Sequence, residues 1–326
     1  MRPTGSALAA TAAVLFGLAV ASLFTGVITL DPGTAWHDPE ALRLLAVSRF
    51  PRTAAVILTG ASMAVAGMIM QMLARNRFIE PTTAGTGQSA ALGILVATML
   101  WPTAPLWAQM SLASLAAIAG SAGFLALIRH LPPSQPLLVP LVGLIYGGII
   151  GAAVTFLGYQ LDLLQYVEVW MNGEFSGVLR GRYELLWITG ALTLVAYVVA
   201  DQFTIVGLGR EASVNLGLNY DSVVIAGLLI VSVVTALTVT TVGMIPFVGL
   251  VVPNVVSRLM GDNLRATLPC VALSGAVLVL ACDLLGRILR YPYEIPVGTI
   301  FGILGGAVFL WLLYAGPART APPDGR

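Results

Sequence analysis

The chain has 326 residues, of which 58% are hydrophobic and only 10% charged, with a formal net charge of +1. A soluble domain carries about 25% charged residues, so the composition excludes a soluble globular protein, and the near-zero balance suggests neither a nucleic-acid nor an acidic partner. All sixteen basic residues are arginine; without lysine the chain can build neither a Walker A phosphate loop nor a Schiff base.

At roughly 20 residues per span, about ten transmembrane helices fit the length. The first apolar run, 8–30, follows Arg2 and ends in Asp31-Pro32-Gly33. It is long for a signal peptide and has no clear cleavage site, so it reads as an uncleaved span. A polar loop with Trp36 and a short amphipathic piece near 42–47 leads to Arg49-Phe50-Pro51-Arg52 and a second span at 53–73. Arg75-Asn76-Arg77-Phe78-Ile79-Glu80-Pro81 follows, and the chain re-enters through small residues into a third span at 88–100. The fourth span is 106–128, ending at Arg129-His130, and the fifth is 137–159. The longest polar loop, 162–184, contains Trp170-Met171-Asn172-Gly173 and precedes a sixth span at 185–200.

Next comes Gly207 to Leu218, with Arg210, Glu211 and Asn215 between glycines. It reads either as a plain polar loop or as a short helix at the membrane surface, with Ala212 and Leu216 on one face. The seventh span is 222–242; the eighth, 243–254, is broken by Pro246 and Pro253. Proline frees backbone groups, which are tolerated only where protein or water resatisfies them. The ninth span, 268–285, carries Asp283 near its end, then Arg287 and Arg290; the tenth is 297–314, and a Pro-rich tail follows.

The fifth span contains Gly143, Gly147 and Gly151, and the tenth contains Gly298, Gly302 and Gly306. Such a strip lets another backbone approach closely. The two stripes suggest half-repeats at about 53–159 and 222–314 within a single transmembrane domain, 1–326. One extra span between the halves makes the repeat inverted. With the N-terminus inside, Arg2, Arg75, Arg77, Arg129, Arg210, Arg258, Arg265, Arg319 and Arg326 lie inside; Arg43, Arg49, Arg52, Arg180, Arg182, Arg287 and Arg290 lie outside. The bias favours this orientation slightly. The outer arginines read as interfacial snorkelling or as a docking surface for an acidic partner.

No HExxH motif, paired carboxylates on one helix or serine–histidine pair is present, so no enzyme chemistry suggests itself. Cys270 and Cys282 are spaced unlike metal ligands, and His37 and His130 are isolated. Asp201 and Asp283 lie near span ends, and Gln71 and Asn254 are neutral. An ion-coupled carrier usually needs buried carboxylates or a histidine relay, so the driving energy is expected from elsewhere. An ion-coupled secondary carrier remains the alternative of another class.

Several blocks in order carry a resemblance: Arg49-Phe50-Pro51-Arg52-Thr53, 75–81, Leu208-Gly209-Arg210-Glu211-Ala212 with Leu216-Gly217-Leu218, 243–253, and Glu294-Ile295-Pro296-Val297-Gly298. From about 48 to 313 the chain resembles the ten-span permease subunits of bacterial ABC importers for iron–siderophores, haem and cobalamin, of the type II importer class. The resemblance implies an all-α integral, multi-pass protein of the bacterial cytoplasmic membrane that is not itself an enzyme. It implies a second permease subunit, identical or homologous, two ATPase subunits that hold the ATP and Mg, and an external substrate-binding protein, with no cofactor on this chain. The implied roles follow the matching positions. Leu208, Gly209, Arg210, Glu211, Ala212, Leu216 and Gly217 couple to the ATPase. Arg49, Arg52 and Arg287 meet glutamates of the binding protein. Gly143, Gly147, Gly151, Gly298, Gly302 and Gly306 line the pathway or pack its helices, and Asn76 and Phe78 lie at the inner gate. Where most members have proline after the asparagine, this chain has Arg77. The stretch 78–86 is most similar to members serving siderophores, often catecholates, ahead of cobalamin or haem.

Overall fold

A computed structural model of the chain describes residues 5–28, 30, 33, 37–82, 85–128, 131, 138–261 and 263–314. Arg2, Asp31, Pro32, Trp36, Arg129, His130, Arg319 and Arg326 lie outside the described residues. Among the described residues the structure is all helical. The elements are α1 (Gly5–Phe24), α2 (Pro39–Leu44) with a π-helical turn (Leu45–Arg49), α3 (Phe50–Leu73), α4 (Thr86–Leu100), α5 (Leu106–Ile128), α6 (Leu138–Gln160) and α7 (Leu164–Met171). They continue with α8 (Leu186–Val198), α9 (Ala200–Gly207), α10 (Arg210–Asn215), α11 (Tyr220–Val242), α12 (Val248–Met260), α13 (Leu264–Leu289) and α14 (Val297–Tyr314).

Helix starts follow local chemistry. Asn219 and Asn263 each accept the N–H three residues on, 3.2 Å away, at the heads of α11 and α13; a side-chain oxygen there satisfies a donor that the first turn leaves without a partner. Asp38 does the same for Glu40 at α2. The amphipathic piece foreseen near 42–47 is continuous with the second span through the π-helical turn, so α3 enters the bundle already anchored.

Among the described residues seven helices are long and apolar enough to cross a membrane, eight when α8 and α9, bent by 66° at their junction, count as one broken span. The helices α4 and α12 are apolar but only 15 and 13 residues long, and the ten spans expected from the sequence require both. Each is short because irregular backbone replaces part of the helix, over 74–82 before α4 and 243–247 before α12. At membrane depth such backbone survives only where protein covers it. Here Ile79, Glu80, Pro81 and Thr82 on one side, and Gly243, Met244 and Ile245 on the other, are buried. The sets α3–α6 and α11–α14 thus share one order: long, short, long, long.

The core is built around α3, whose Val56, Met63, Ile69 and Met70 are fully enclosed. It packs on α13, α12, α11 and α8. Two crossings dispense with side chains altogether. A methyl built on Gly60 would strike the Gly275 carbonyl of α13, and one built on Gly67 would strike the Gly249 backbone of α12. Backbone cannot yield as a rotamer can. We therefore expect Gly67→Val to force α3 and α12 apart and cost at least the 1–3 kcal/mol that is about typical of overpacking. It should lower the thermal midpoint of the detergent-solubilised chain by several degrees. Gly148→Ala, where nothing lies within 4 Å, should leave the midpoint unchanged.

Candidate functional site

The side chains expected to carry function fall into three zones along the bundle. At the outer end, the π-helical turn, the start of α3 and the end of α13 bring Arg49, Arg52 and Arg287 together around Asp283. Arg52 donates to Asp283 at 2.8 Å and to Glu294 at 3.0 Å. Arg287 pairs with the other oxygen of Asp283, one helical turn back, and donates to the Ser22 and Thr25 carbonyls at 3.1 and 3.2 Å. Arg49 donates to the Thr25 carbonyl and, at 2.9 Å, to that of Ile28. The two arginines thereby cover carbonyls at the C-terminal end of α1, where cations are favoured. Ser22 completes the junction through a 2.8 Å bond with Thr53.

The side chains of Asp283 and Arg287 are 0% and 2% exposed, against 12% for Arg52 and 26% for Glu294. The sequence reading set all three arginines on an outer rim facing a partner. The structure turns Arg49 and Arg287 inward and leaves only the Arg52–Glu294 pair partly open to solvent. The carbonyls that draw them in belong to α1, more than twenty residues away in sequence, and no local pattern shows that contact. The arginines that do stand exposed at this end are Arg43, Arg180, Arg182 and Arg290. Arg180 is held against the turn by a 2.9 Å bond from its N–H to the Val47 carbonyl. Nearby, a cavity of about 190 Å³ is lined by Gln109, Glu174, Arg182 and Thr241 among others. It lies beside α7, a helix inside the long polar loop that the sequence reading left without structure.

In the middle zone the glycine stripes part company. On α6, Gly143 is buried, Gly147 faces the Gly85 backbone and Gly151 faces Gln88, so that stripe seats α4. On α14, Gly298 packs on Gly173, whereas Gly302 and Gly306 meet nothing within 4 Å. The close contact on α14 is made instead by Gly305, against the Phe247 ring. Asn76 is buried and its side chain accepts the Phe78 N–H at 2.8 Å. The Phe78 ring meets Phe309 of α14 edge-on at 6.1 Å, and Phe247 stacks on Phe309 at 6.3 Å. Glu80, which the sequence reading left in a turn with no role, is completely buried. The sequence signal was an acid held before proline in an otherwise apolar re-entry.

At the inner end, Gly209 (φ +109°) and Gly217 (φ +82°) bracket α10 in backbone conformations that glycine adopts without strain. Ser213 faces the core, its hydroxyl donating to the Gly209 and Ile205 carbonyls at 2.7 and 3.1 Å. Ala212 is half-buried and Leu216 is 62% exposed. Leu208 and Val214 are exposed to 61% and 56%, beside Glu211. Arg210 pairs with Asp221 at 2.9 Å on the surface. A cavity of about 360 Å³ opens between this segment and the end of α3, lined by Arg75, Asn76, Arg77, Thr204, Leu208 and Ser257 among others.

Cys270 and Cys282 are free and buried. Among the described residues no group of three or more His, Cys, Asp or Glu gathers in a way that could hold a metal.

The outer cluster generates a test. Removing one partner of a buried pair leaves the other charge uncompensated, at a cost of about 3–5 kcal/mol. Asp283→Ala leaves Arg287 without its carboxylate and Arg52 with Glu294 alone, and is expected to lower the thermal midpoint of the solubilised chain strongly. Glu294→Gln, at a pair open to water, should cost less than about 1 kcal/mol. Equal effects would contradict the central place of Asp283.

Comparison with known proteins gives the family and the fold. The model of the FecCD transport family matches residues 13–315. The petrobactin import system permease protein YclN of Bacillus subtilis is 46% identical over 92% of this chain and 95% of its own length. The ferric-anguibactin transport system permease protein FatD of Vibrio anguillarum is 40% identical over 92% of this chain and 96% of its own. A solved inward-facing structure assigned to a metal-chelate type ABC transporter superposes with a TM-score of 0.82 at 23% identity, covering 96% of this chain and all of that one, and shows the shared fold. The chain belongs to the FecCD transport family and is a multi-pass protein of the bacterial cytoplasmic membrane.

Proposed function

We propose, from that membership, that the chain is the permease of an ATP-driven importer that carries iron–siderophore complexes across the membrane. It is a transport subunit, not an enzyme. Two relatives named for siderophore systems align over nearly the whole chain. The observation that carries the mechanism is the inner segment. Leu208, Val214 and Leu216 form an exposed apolar patch beside Glu211, on a chain with no lysine for a nucleotide loop. A patch of this kind, rimmed by charge, marks a surface made for another protein. In this reading it receives a separate ATPase, which binds ATP and Mg. The helix α10, fixed by Ser213 to α9 and by its Arg210–Asp221 pair to α11, passes the ATPase's movement to the spans.

The remaining parts follow. The sets α3–α6 and α11–α14 are read as inverted half-repeats. The open side of α14 at Gly302 and Gly306, with exposed Ile303 and Leu304, would receive a second permease subunit. The gate is assigned to Asn76 and Phe78, against Phe309. A substrate-binding protein would dock at the outer end, its carboxylates meeting the exposed arginines first. They would reach Arg52, and then Arg49 and Arg287, only by exchanging for Glu294 and Asp283. Docking would then loosen the end of α1.

Uptake of radiolabelled iron in a strain lacking this chain tests the reading, with ferric catecholate, ferric hydroxamate, haem and labelled cobalamin compared. Restoring the chain should rescue at least one ferric siderophore, and Glu211→Arg should abolish most of that rescue while binding-protein docking persists. Rescue of cobalamin or haem alone would overturn the substrate assignment. Full rescue by Glu211→Arg would overturn the coupling role.

A further inference from the structure

Glu80 does more than fill a turn. Its side chain is entirely enclosed. Its carboxylate accepts the Phe247 N–H at 2.8 Å and the Thr82 hydroxyl at 2.6 Å, at the head of α12. The Phe247 N–H is a donor at the head of α12, which no helical carbonyl can satisfy. The residue at the cap position, Phe247, offers no side-chain acceptor and sits at φ +67°, a strained backbone for a bulky side chain. A residue from the α3–α4 connection therefore caps α12 from outside, its carboxyl oxygen set against the positive end of the helix.

Further bonds hold the same connection along α12. The Asn254 amide donates to the Arg77 carbonyl at 2.6 Å, and the Gln71 amide donates to the Gly249 carbonyl at 3.1 Å. At its inner end the connection carries Arg75, whose guanidinium lies over Gly209 at the head of α10. Three residues on, Phe78 of the connection packs on Phe309 of α14, as does Phe247 at the head of α12. The carboxylate is thus the joint between the turn that touches the coupling segment and the broken helix that touches α14.

We propose that Glu80 is a positioning residue for transport: it pins the 76–82 turn to the head of α12, so that a shift at the coupling segment reaches α14 as the motion of one body. This rests on the importer reading above. Without the pin, the turn moves and α12 does not follow. ATP is then hydrolysed without equivalent substrate movement.

The test uses the full chain, assembled with its ATPase and binding protein in vesicles. Labelled ferric siderophore uptake and ATP hydrolysis are measured in the same preparation. Couplings between sites typically span about 5–150-fold; Glu80→Gln, which keeps shape but turns one carboxyl oxygen into a donor facing the helix head, is expected to cut substrate moved per ATP by about tenfold, with hydrolysis within about twofold of the parent. Glu80→Asp should recover part of the ratio. An unchanged ratio, or uptake and hydrolysis falling in proportion as a structural defect would make them, overturns the proposal. Amide exchange on the solubilised chain reads the pin without any transport: Glu80→Gln should speed exchange at Phe247 by about tenfold relative to α13 amides, since local opening sets protection. Unchanged protection also overturns it. A parent chain that shows this protection but moves no substrate with ATP would tell against the importer reading instead.

Discussion

Where α3 crosses α12 and α13, backbone meets backbone. Gly67 lies on Gly249, and Gly60 lies on Gly275. In a bilayer no hydrophobic force separates helix from lipid, so association depends on close packing and interhelical hydrogen bonds. Small residues at these crossings supply the first. They also supply the second, because the approach brings Gln71 to the Gly249 carbonyl and the 74–82 connection within reach of the α12 head. Were the helices held a side chain apart, the irregular backbone on either side would face hydrocarbon. Its donors and acceptors would then lack partners, at several kcal/mol each, which is roughly the cost of burying such groups unsatisfied.

The outer end solves a different problem by the same means. The first span ends in carbonyls with no helical partner, and Arg49 and Arg287 supply the donors. Buried cations need compensation, and Asp283 sits between Arg52 and Arg287 to give it. Such a cluster fixes geometry more than it adds stability. It also makes the outer end responsive: carboxylates brought by a partner compete directly for charges already paired within the chain. The inner end is the opposite in character. Its exposed leucines and valine have no partner in the chain, and the helix beneath them is short and held by glycines at both ends.

Much of the frame was legible because a bilayer imposes a simple length rule. The spans at 106–128 and 297–314 coincide with α5 and α14 to the residue, since nothing but apolar length decides them. Pro246 lies in the break before the eighth span's helix, as expected, whereas Pro253 sits inside α12 without interrupting it, and the Gly249 carbonyl one turn back takes the Gln71 amide instead. The prolines could not say that α12 begins only at Val248, because that depends on an acid more than 160 residues earlier. The fate of the arginines was equally hidden. A cation at a span edge reads as facing water, and only the return of the α1 carbonyls turns Arg49 and Arg287 inward. The helix α7 escaped notice because eight residues in a polar loop carry no span-length signal. The bend between α8 and α9 has no proline to mark it.

The central claim is that ATP hydrolysis on a partner, not an ion gradient, drives movement through this chain. The most direct measurement is uptake of labelled ferric siderophore into vesicles holding the chain, its ATPase and loaded binding protein, with ATP and the ion gradients varied independently. Uptake that requires ATP and survives collapse of the gradients is the predicted result. Uptake that proceeds without ATP and stops when the gradients collapse would contradict the account and make the chain a secondary carrier.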